Sequence, residues 1–348
     1  VMGERAAVVS KHVGMNVMAD PLIISASHGL GAGIVVIAGD DVGAVFSHNE
    51  QDSRWYGKLA EIPVFDPAGP ADIYASITEG IQLSERISAP VLVRLTEQAL
   101  KEDGPIARRN VPHGHKILNR SHWSYTMLGA HQRYLRDGWS LAEHEANHST
   151  RNTFIKRSSR GIISSGHASV GAAKVAESMG LSHLSLCMIN PFPRVLVDDF
   201  LMGLETALVC EEVAPFLEEQ MGSAKIKGRL TGHLPRAGPL DESAIRKGID
   251  QLDAPSVERA VEPQTMTSRG YAVGHCKACP YDQVYGAIKS IGVPVAGDAG
   301  CSLITANPPY NMLEVGVGLG SSVGAACGFP EKGIAMMGDF ALLHTGLP

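Results

Sequence analysis

Gly316-Val-Gly-Leu-Gly-Ser-Ser-Val-Gly-Ala-Ala-Cys-Gly328, followed by the apolar run Gly333-Ile-Ala-Met-Met-Gly-Asp-Phe340, is the part of the chain whose reading decides the fold. Gly316, Gly318 and Gly320 suit a loop whose backbone amides approach an anion, and Val323 to Cys327 suit the first turns of a small-residue helix packed on a sheet. The apolar run is a strand that closes on Gly338-Asp339, which delivers a carboxylate at the carboxyl edge of a parallel sheet. Glycine lets the backbone come close to a phosphate, and the carboxylate can hold a hard cation bridging phosphate oxygens. Each piece alone has an ordinary reading, a tight helix–sheet contact or a turn. In this order a diphosphate cofactor explains them together.

Upstream, short β-branched runs alternate with stretches of helical length. Ala6 to Ser10, Gly33 to Ala38, Pro63 to Asp66 and Pro90 to Leu95 have the pattern of buried parallel strands. Val17 to Ser27, Ser53 to Ala60 and Pro70 to Ile87 suit helices between them, with Pro70 in a first turn. A second set, Gly161 to Ser165, Ser182 to Met188 and Ala207 to Glu211, is interrupted by Pro191-Phe-Pro193. The stretches Lys101 to Arg160 and Lys225 to Arg269 read as linkers, the first polar and histidine-rich with helical pieces. The expectation is an α/β protein of parallel-sheet domains.

Composition narrows the class. Hydrophobic residues make up 44% and charged residues 19% of 348 positions, which excludes a disordered chain. A net charge of −6 without a dense basic block argues against nucleic acid or an anionic membrane as partner. Six cysteines are too few for a disulfide scaffold in a chain this long, so a cytoplasmic location is expected. Cys187, Cys210 and Cys327 sit in apolar runs and are expected as buried thiols. No apolar stretch reaches membrane-spanning length.

Two motifs admit rival readings. Cys276-Lys-Ala-Cys279-Pro280 suits two ligands of an iron–sulfur cluster, a zinc knuckle, a redox pair, or no role at all. His144-Glu145-Ala-Asn-His148 matches the H-E-x-x-H of a zinc metalloprotease. Its flanks are polar on every side, whereas a zincin helix lies under a cleft, so a solvated linker helix is the better reading. His113-Gly-His115 is expected to be a surface loop.

Cys276-Lys-Ala-Cys-Pro-Tyr281, Gly297-Asp-Ala-Gly-Cys301 and Gly338-Asp339 with His344-Thr-Gly346 together resemble the large subunit of indolepyruvate ferredoxin oxidoreductases. These are thiamine diphosphate-dependent 2-oxoacid:acceptor oxidoreductases. The resemblance continues through Gly3 to Leu22, Ser47-His-Asn-Glu-Gln-Asp-Ser-Arg54, Gly161 to Gly166 and Val209-Cys-Glu-Glu212, in one collinear order. The family pattern has Pro-Gly between the cysteines and His after Cys-Pro, where this chain has Lys277, Ala278 and Tyr281. It also has Ser-Thr-Phe-Phe-His after Gly-Asp, where this chain has Phe340-Ala-Leu-Leu-His344.

The resemblance implies a thiamine diphosphate-binding fold. Its expected parts are a pyrimidine-binding domain over 1–100, a linker over 101–160, a small transketolase C-terminal-like α/β domain over 161–224, a second linker over 225–269, and a diphosphate-binding domain over 270–348. It implies oxidative decarboxylation of an aryl 2-oxoacid to its acyl-CoA, with coenzyme A as cosubstrate, ferredoxin as acceptor, and a smaller β subunit within an oligomer. Asp298, Gly300, Cys301, Gly316, Gly318, Gly338, Asp339 and Phe340 would bind the cofactor, with Asp339 on Mg2+. Cys276, Cys279 and Cys301 would converge on a [4Fe–4S] cluster. Lys11, His12, Asn16 and Arg94 would serve the substrate, although loop polarity accounts for the first three and strand capping for Arg94. A second Mg2+ ligand, a fourth cluster ligand and the glutamate that activates the aminopyrimidine are expected outside Val1 to Pro348. A non-oxidative thiamine-dependent decarboxylase and a non-catalytic homologue are the alternatives.

Overall fold

The computed structural model describes residues 3–45, 47, 49–108, 114–257 and 276–343, without the side chains of residues 122 and 123. The chain forms two bodies, Val1–Ala44 with Asn49–Val261, and Val45–His48 with Glu262–Pro348. The strands in chain order are β1 (Ala6–Lys11), β2 (Ile34–Asp40), β3 (Val64–Phe65), β4 (Val91–Thr96), β5 (Thr153–Ile155), β6 (Arg160–Ser165), β7 (Ser182–Leu186), β8 (Met188–Asn190), β9 (Thr206–Cys210), β10 (Ile226–Lys227), β11 (Val295–Gly297), β12 (Leu313–Gly316) and β13 (Ile334–Met336).

In the larger body the first sheet runs β1-β2-β4-β3-β8 and the second β10-β9-β6-β7-β5. Both are parallel except at one edge, where β8 and β5 pair antiparallel to β3 and β7. Every residue of β4 is buried, as the apolar Val91-Leu-Val93 demands, and Arg94 is carried into the interior with it. The helix Pro70–Ile87 starts with proline in its first turn and ends where Ser88 turns left-handed at φ 55°. Its Gly80 lets the helix lie close on the sheet, since a Cβ there would stand 3.2 Å from Val91. The helix after β1 spans His12–His28, longer than Val17 to Ser27, because it begins directly at the strand end.

Gly161 to Gln220 has a sheet of its own, yet its β8 joins the first sheet and one core spans both. Val35 and Leu92 share that core with Ile163, Leu184 and Val209. The polar stretch between the two sets of strands is more anchored than a linker. Its helices Met127–Tyr134 and Ser140–His148 bury Ala130, Tyr134, Ala142 and Ala146, and β5 extends the second sheet. The next stretch contributes β10 and the helix Glu242–Asp250, which packs Ile245 and Ile249 into a second core. Residues 258–275, including the expected start of a domain near Gly270, lie outside the described residues.

The smaller body is built on the three-stranded parallel sheet β12-β11-β13. The helix Ser322–Cys327 follows the glycine-rich loop as expected, but buries only Ser322. Cys327 is therefore exposed, contrary to the buried thiol expected of it, whereas Cys187 and Cys210 are buried. Burial pushes both of those thiols well above the ordinary range.

Candidate functional site

The smaller sheet gathers the residues expected around a diphosphate. Gly297 pairs with Gly316 on one side and Met336 on the other, so three parallel strands end level. The loops Asp298–Cys301, Gly316–Gly320 and Gly338–Phe340 consequently leave from the same carboxyl edge. At Gly318 and Gly338 a Cβ would meet nothing within 4 Å, so the backbone is open there. Gly316 differs: a Cβ would stand 1.9 Å from Leu303, which makes it a packing glycine. Gly300, at φ 136°, turns the chain into the short helix Cys301–Ile304. Asp339 and Phe340 are exposed in the turn after β13.

Asp298, expected to bind the cofactor, is bonded within the chain in this structure. It is fully buried, and accepts hydrogen bonds from the Gly320 N–H at 2.8 Å and the Ser322 N–H at 2.6 Å. The carboxylate therefore shapes the glycine-rich loop and occupies two of its amides. Asp339 remains as the exposed carboxylate of this edge. It fits Mg2+, which keeps waters and phosphate oxygens among its ligands and needs only one or two carboxylates.

The cluster ligands do not assemble. Among the described residues no group of three His, Cys, Asp or Glu side chains is placed to hold a metal ion. Cys276 and Cys301 are exposed, and Cys279 packs half-buried against the small core around Tyr285. Burial, then the proximity of Cys279 and Cys301, pushes the Tyr285 phenol up to about 12. Ala278 in this loop holds a left-handed φ of 105°. His344, Thr345 and Gly346 lie outside the described residues, as does His113; His115 is exposed. The H-E-x-x-H histidines are exposed and stack on each other with ring centroids 4.3 Å apart, while Glu145 pairs with Arg86 at 2.6 Å. Their helix is not free, since Ala142 and Ala146 pin it down.

In the larger body Lys11, His12 and Asn16 lie together where β1 passes into its helix. Lys11 Nζ stands 3.7 Å from Asp41. His12 is buried, its Nδ1 3.4 Å from the Gly39 carbonyl and its Nε2 without a partner among the described residues. A carbonyl only accepts, so Nδ1 is the donor in this contact. Asn16 accepts from the Tyr56 hydroxyl and donates to Gln51 Oε1 at 3.3 Å. Arg94 is not a substrate receptor. It is buried, and its guanidinium meets Asp40 Oδ2 at 2.8 Å, Asp66 Oδ1 at 3.1 Å and the Glu212 carbonyl at 3.4 Å.

No family model matches the chain. Over 380 residues it is 31% identical to indolepyruvate oxidoreductase subunit IorA of Methanothermobacter thermautotrophicus, an alignment covering 99% of this chain and 61% of that protein. The chain is similar to IorA along 99% of its own length. The subunit of the same name from Archaeoglobus fulgidus is 30% identical over 380 residues, covering 99% and 60%. This chain thus spans about three fifths of the IorA relatives it matches. Among solved structures, a 2-oxoglutarate:ferredoxin oxidoreductase from Magnetococcus marinus aligns at 12% identity with a TM-score of 0.44, over 71% of this chain and 53% of its own.

One feature was not foreseen from the sequence, a buried charge network joining the two sheets of the larger body. Arg54 is wholly buried; it meets Asp52 at 2.6 Å and Glu211 at 2.8 Å, and donates to the carbonyls of Glu212 and Ala214. Asp66 stands 3.6 Å from Arg54 and 3.1 Å from Arg94, which links the two guanidinium groups. Burial works to raise the Asp52 carboxyl, but Arg54 holds it below its ordinary value. Glu211 is pushed up to about 7 by burial, against Arg54 and the amides of Glu218 and Leu217. The available signal was acids placed directly after apolar strands: Asp40, Asp66 and Glu211-Glu212.

Proposed function

We propose that the full-length protein is a thiamine diphosphate-dependent 2-oxoacid:ferredoxin oxidoreductase acting on an aryl 2-oxoacid, with coenzyme A as cosubstrate and a smaller subunit as partner. The observation that carries the reading is the level carboxyl edge of the smaller sheet, where the open Gly318 and Gly338 and the exposed Asp339 follow strands that end together. The similarity to IorA over 99% of this chain and 61% of that protein supports the substrate class. When bound, thiamine diphosphate supplies the electron sink that lets the carboxylate carbon leave. Asp339 would hold the diphosphate through Mg2+, and the backbone at Gly318 and Gly338 would approach its oxygens. Asp298 keeps the loop in the shape this requires. Lys11, His12 and Asn16, at the end of β1, are the residues of the larger body that we assign to the substrate. The described cysteines offer no assembled cluster site, so no electron step is assigned to them.

Asp339→Asn in the full-length protein should weaken Mg2+-dependent thiamine diphosphate binding at least tenfold, because a hard cation loses a charged oxygen. Titration calorimetry with and without Mg2+ measures this, and an unchanged affinity removes Asp339 from the site. Iron content and dye reduction by the purified enzyme separate the oxidoreductase from a decarboxylase that uses no external acceptor.

A further inference from the structure

On the larger body a cleft of about 440 Å³ opens between the end of the helix Arg54–Leu59, the helix Ser140–His148 and the helix Arg194–Leu201. Its volume lies in the range of small-molecule sites. Trp139 and Phe192, both packed on the main core, give it an apolar wall. Charges of both signs line it, Lys58 and Arg194 against Glu61 and Glu143. Glu61 is paired with His131 at 2.5 Å. Lys58, Glu143 and Arg194 have no ion-pair partner among the described residues. Arg194 is held all the same: its guanidinium lies 4.7 Å from the Phe192 ring centre and donates one N–H to the Gln220 carbonyl at 2.5 Å. Its remaining N–H groups are left for another acceptor. Asn147 sets the spacing between the two signs. Its Oδ1 accepts from the Val195 N–H at 2.9 Å and the Leu196 N–H at 3.4 Å, and its Nδ2 donates to the Glu143 carbonyl at 2.9 Å. The helix that carries Glu143 is thereby tied to the helix that carries Arg194.

We propose that this cleft binds a free α-amino acid with a large apolar side chain, its carboxylate at Arg194 and Lys58, its ammonium at Glu143 and its side chain against Trp139 and Phe192. The chain does not bring these opposite charges together itself, since both cations stand beyond ion-pairing distance of Glu143. An α-amino acid carries both charges on one carbon and so meets both sides at once, through charge-assisted hydrogen bonds. A simple carboxylate leaves Glu143 facing a second anion, and a simple amine leaves Arg194 and Lys58 without an acceptor. Because Asn147 sets the two sides in place beforehand, less ordering is left for the ligand to impose. Apolar burial on Trp139 and Phe192 separates large side chains from small ones. The site does not depend on the function proposed above.

The test uses the full-length protein at pH 7 with L-leucine, with glycine, and with 3-methylbutylamine and 4-methylpentanoate, which each lack one of leucine's charges. Calorimetry should give leucine at least tenfold tighter than either half-ligand and tighter than glycine by as much. Arg194→Gln should weaken leucine and 4-methylpentanoate at least fivefold and leave the amine within twofold. Glu143→Gln should weaken leucine and the amine to the same extent and leave 4-methylpentanoate no weaker than in the wild type. Both side chains are exposed, and a retained circular dichroism spectrum shows that each variant is folded. Saturating thiamine diphosphate should leave the affinity for leucine within twofold. No leucine binding, equal affinity for leucine and the half-ligands or glycine, or leucine binding unchanged in either variant overturns the proposal. Competition between leucine and thiamine diphosphate also overturns it, because leucine would then occupy the cofactor's site.

Discussion

At the scale of single residues, Ala278 is where the chain's departure from the family pattern has a physical consequence. It stands between two cysteines, at the position where that pattern carries glycine, and holds φ at 105°. A Cβ is strained in this region and a glycine is not, at a cost on the order of 1 kcal/mol or more. Ala278→Gly should therefore raise the stability of the loop by about 1 kcal/mol, offset in part by the greater freedom of the unfolded chain. Hydrogen exchange of the Cys279 and Tyr281 amides in both proteins reads this locally. Slower exchange in the glycine variant is the expected result, and equal rates would show that the loop accommodates alanine without strain. Arg94 teaches the opposite lesson about legibility. A cation after Val91-Leu-Val93 is compatible with either a substrate carboxylate or a structural partner, and only Asp40 and Asp66, 54 and 28 residues away, decide for structure.

Elements were legible in proportion to their length and apolar content. Pro70–Ile87 matches its expected bounds because proline, a helical apolar stripe and a left-handed stop agree. Four strands of the first sheet were visible as β-branched runs, whereas β8 was not, because its first residue was read as the end of the run Ser182 to Met188. The two-residue β10 and the three-residue β5 were not, since so few residues carry no periodicity and their pairing partners define them. The glycine-rich loop was visible, but not the carboxylate that the chain itself supplies to the Gly320 and Ser322 amides. This gives a prediction for the element. Asp298→Ala leaves two buried or half-buried amides without their acceptor, at a cost of about 1–3 kcal/mol for each group left unsatisfied. The Gly320 and Ser322 amides should exchange at least tenfold faster, and thiamine diphosphate affinity should fall through disorder of the loop. Asp298→Asn keeps one carbonyl acceptor and should restore part of the protection. Loss of affinity with unchanged exchange would place Asp298 in direct contact with the cofactor after all.

Across the larger body, two buried titratable groups act in opposite directions on stability. His183, on β7, lies 2.8 Å from the Ser164 hydroxyl, and burial, then Arg157, lowers its pKa to about 4. Unfolded, it titrates near 6.5, so between those values the unfolded chain binds more protons and stability is lost as pH falls. Glu211 has the reverse sign. Its folded value of about 7 lies above the unfolded carboxyl value of about 4.5, so the folded chain holds the extra proton and stability is lost as pH rises. Each shift corresponds to about 3 kcal/mol over its full window, and over the shared range between about pH 4.5 and 6.5 the two contributions oppose one another. The wild-type melting temperature should therefore change little across that range on account of these groups. His183→Gln removes one slope and should melt at a lower temperature at pH 6.5 than at pH 4.5. Glu211→Gln removes the other slope and should do the opposite, although it also weakens the Arg54 network and lowers stability throughout. Melting curves for the three proteins at four pH values measure this directly. Parallel pH profiles for the wild type and both variants would mean that neither group titrates differently in the folded chain.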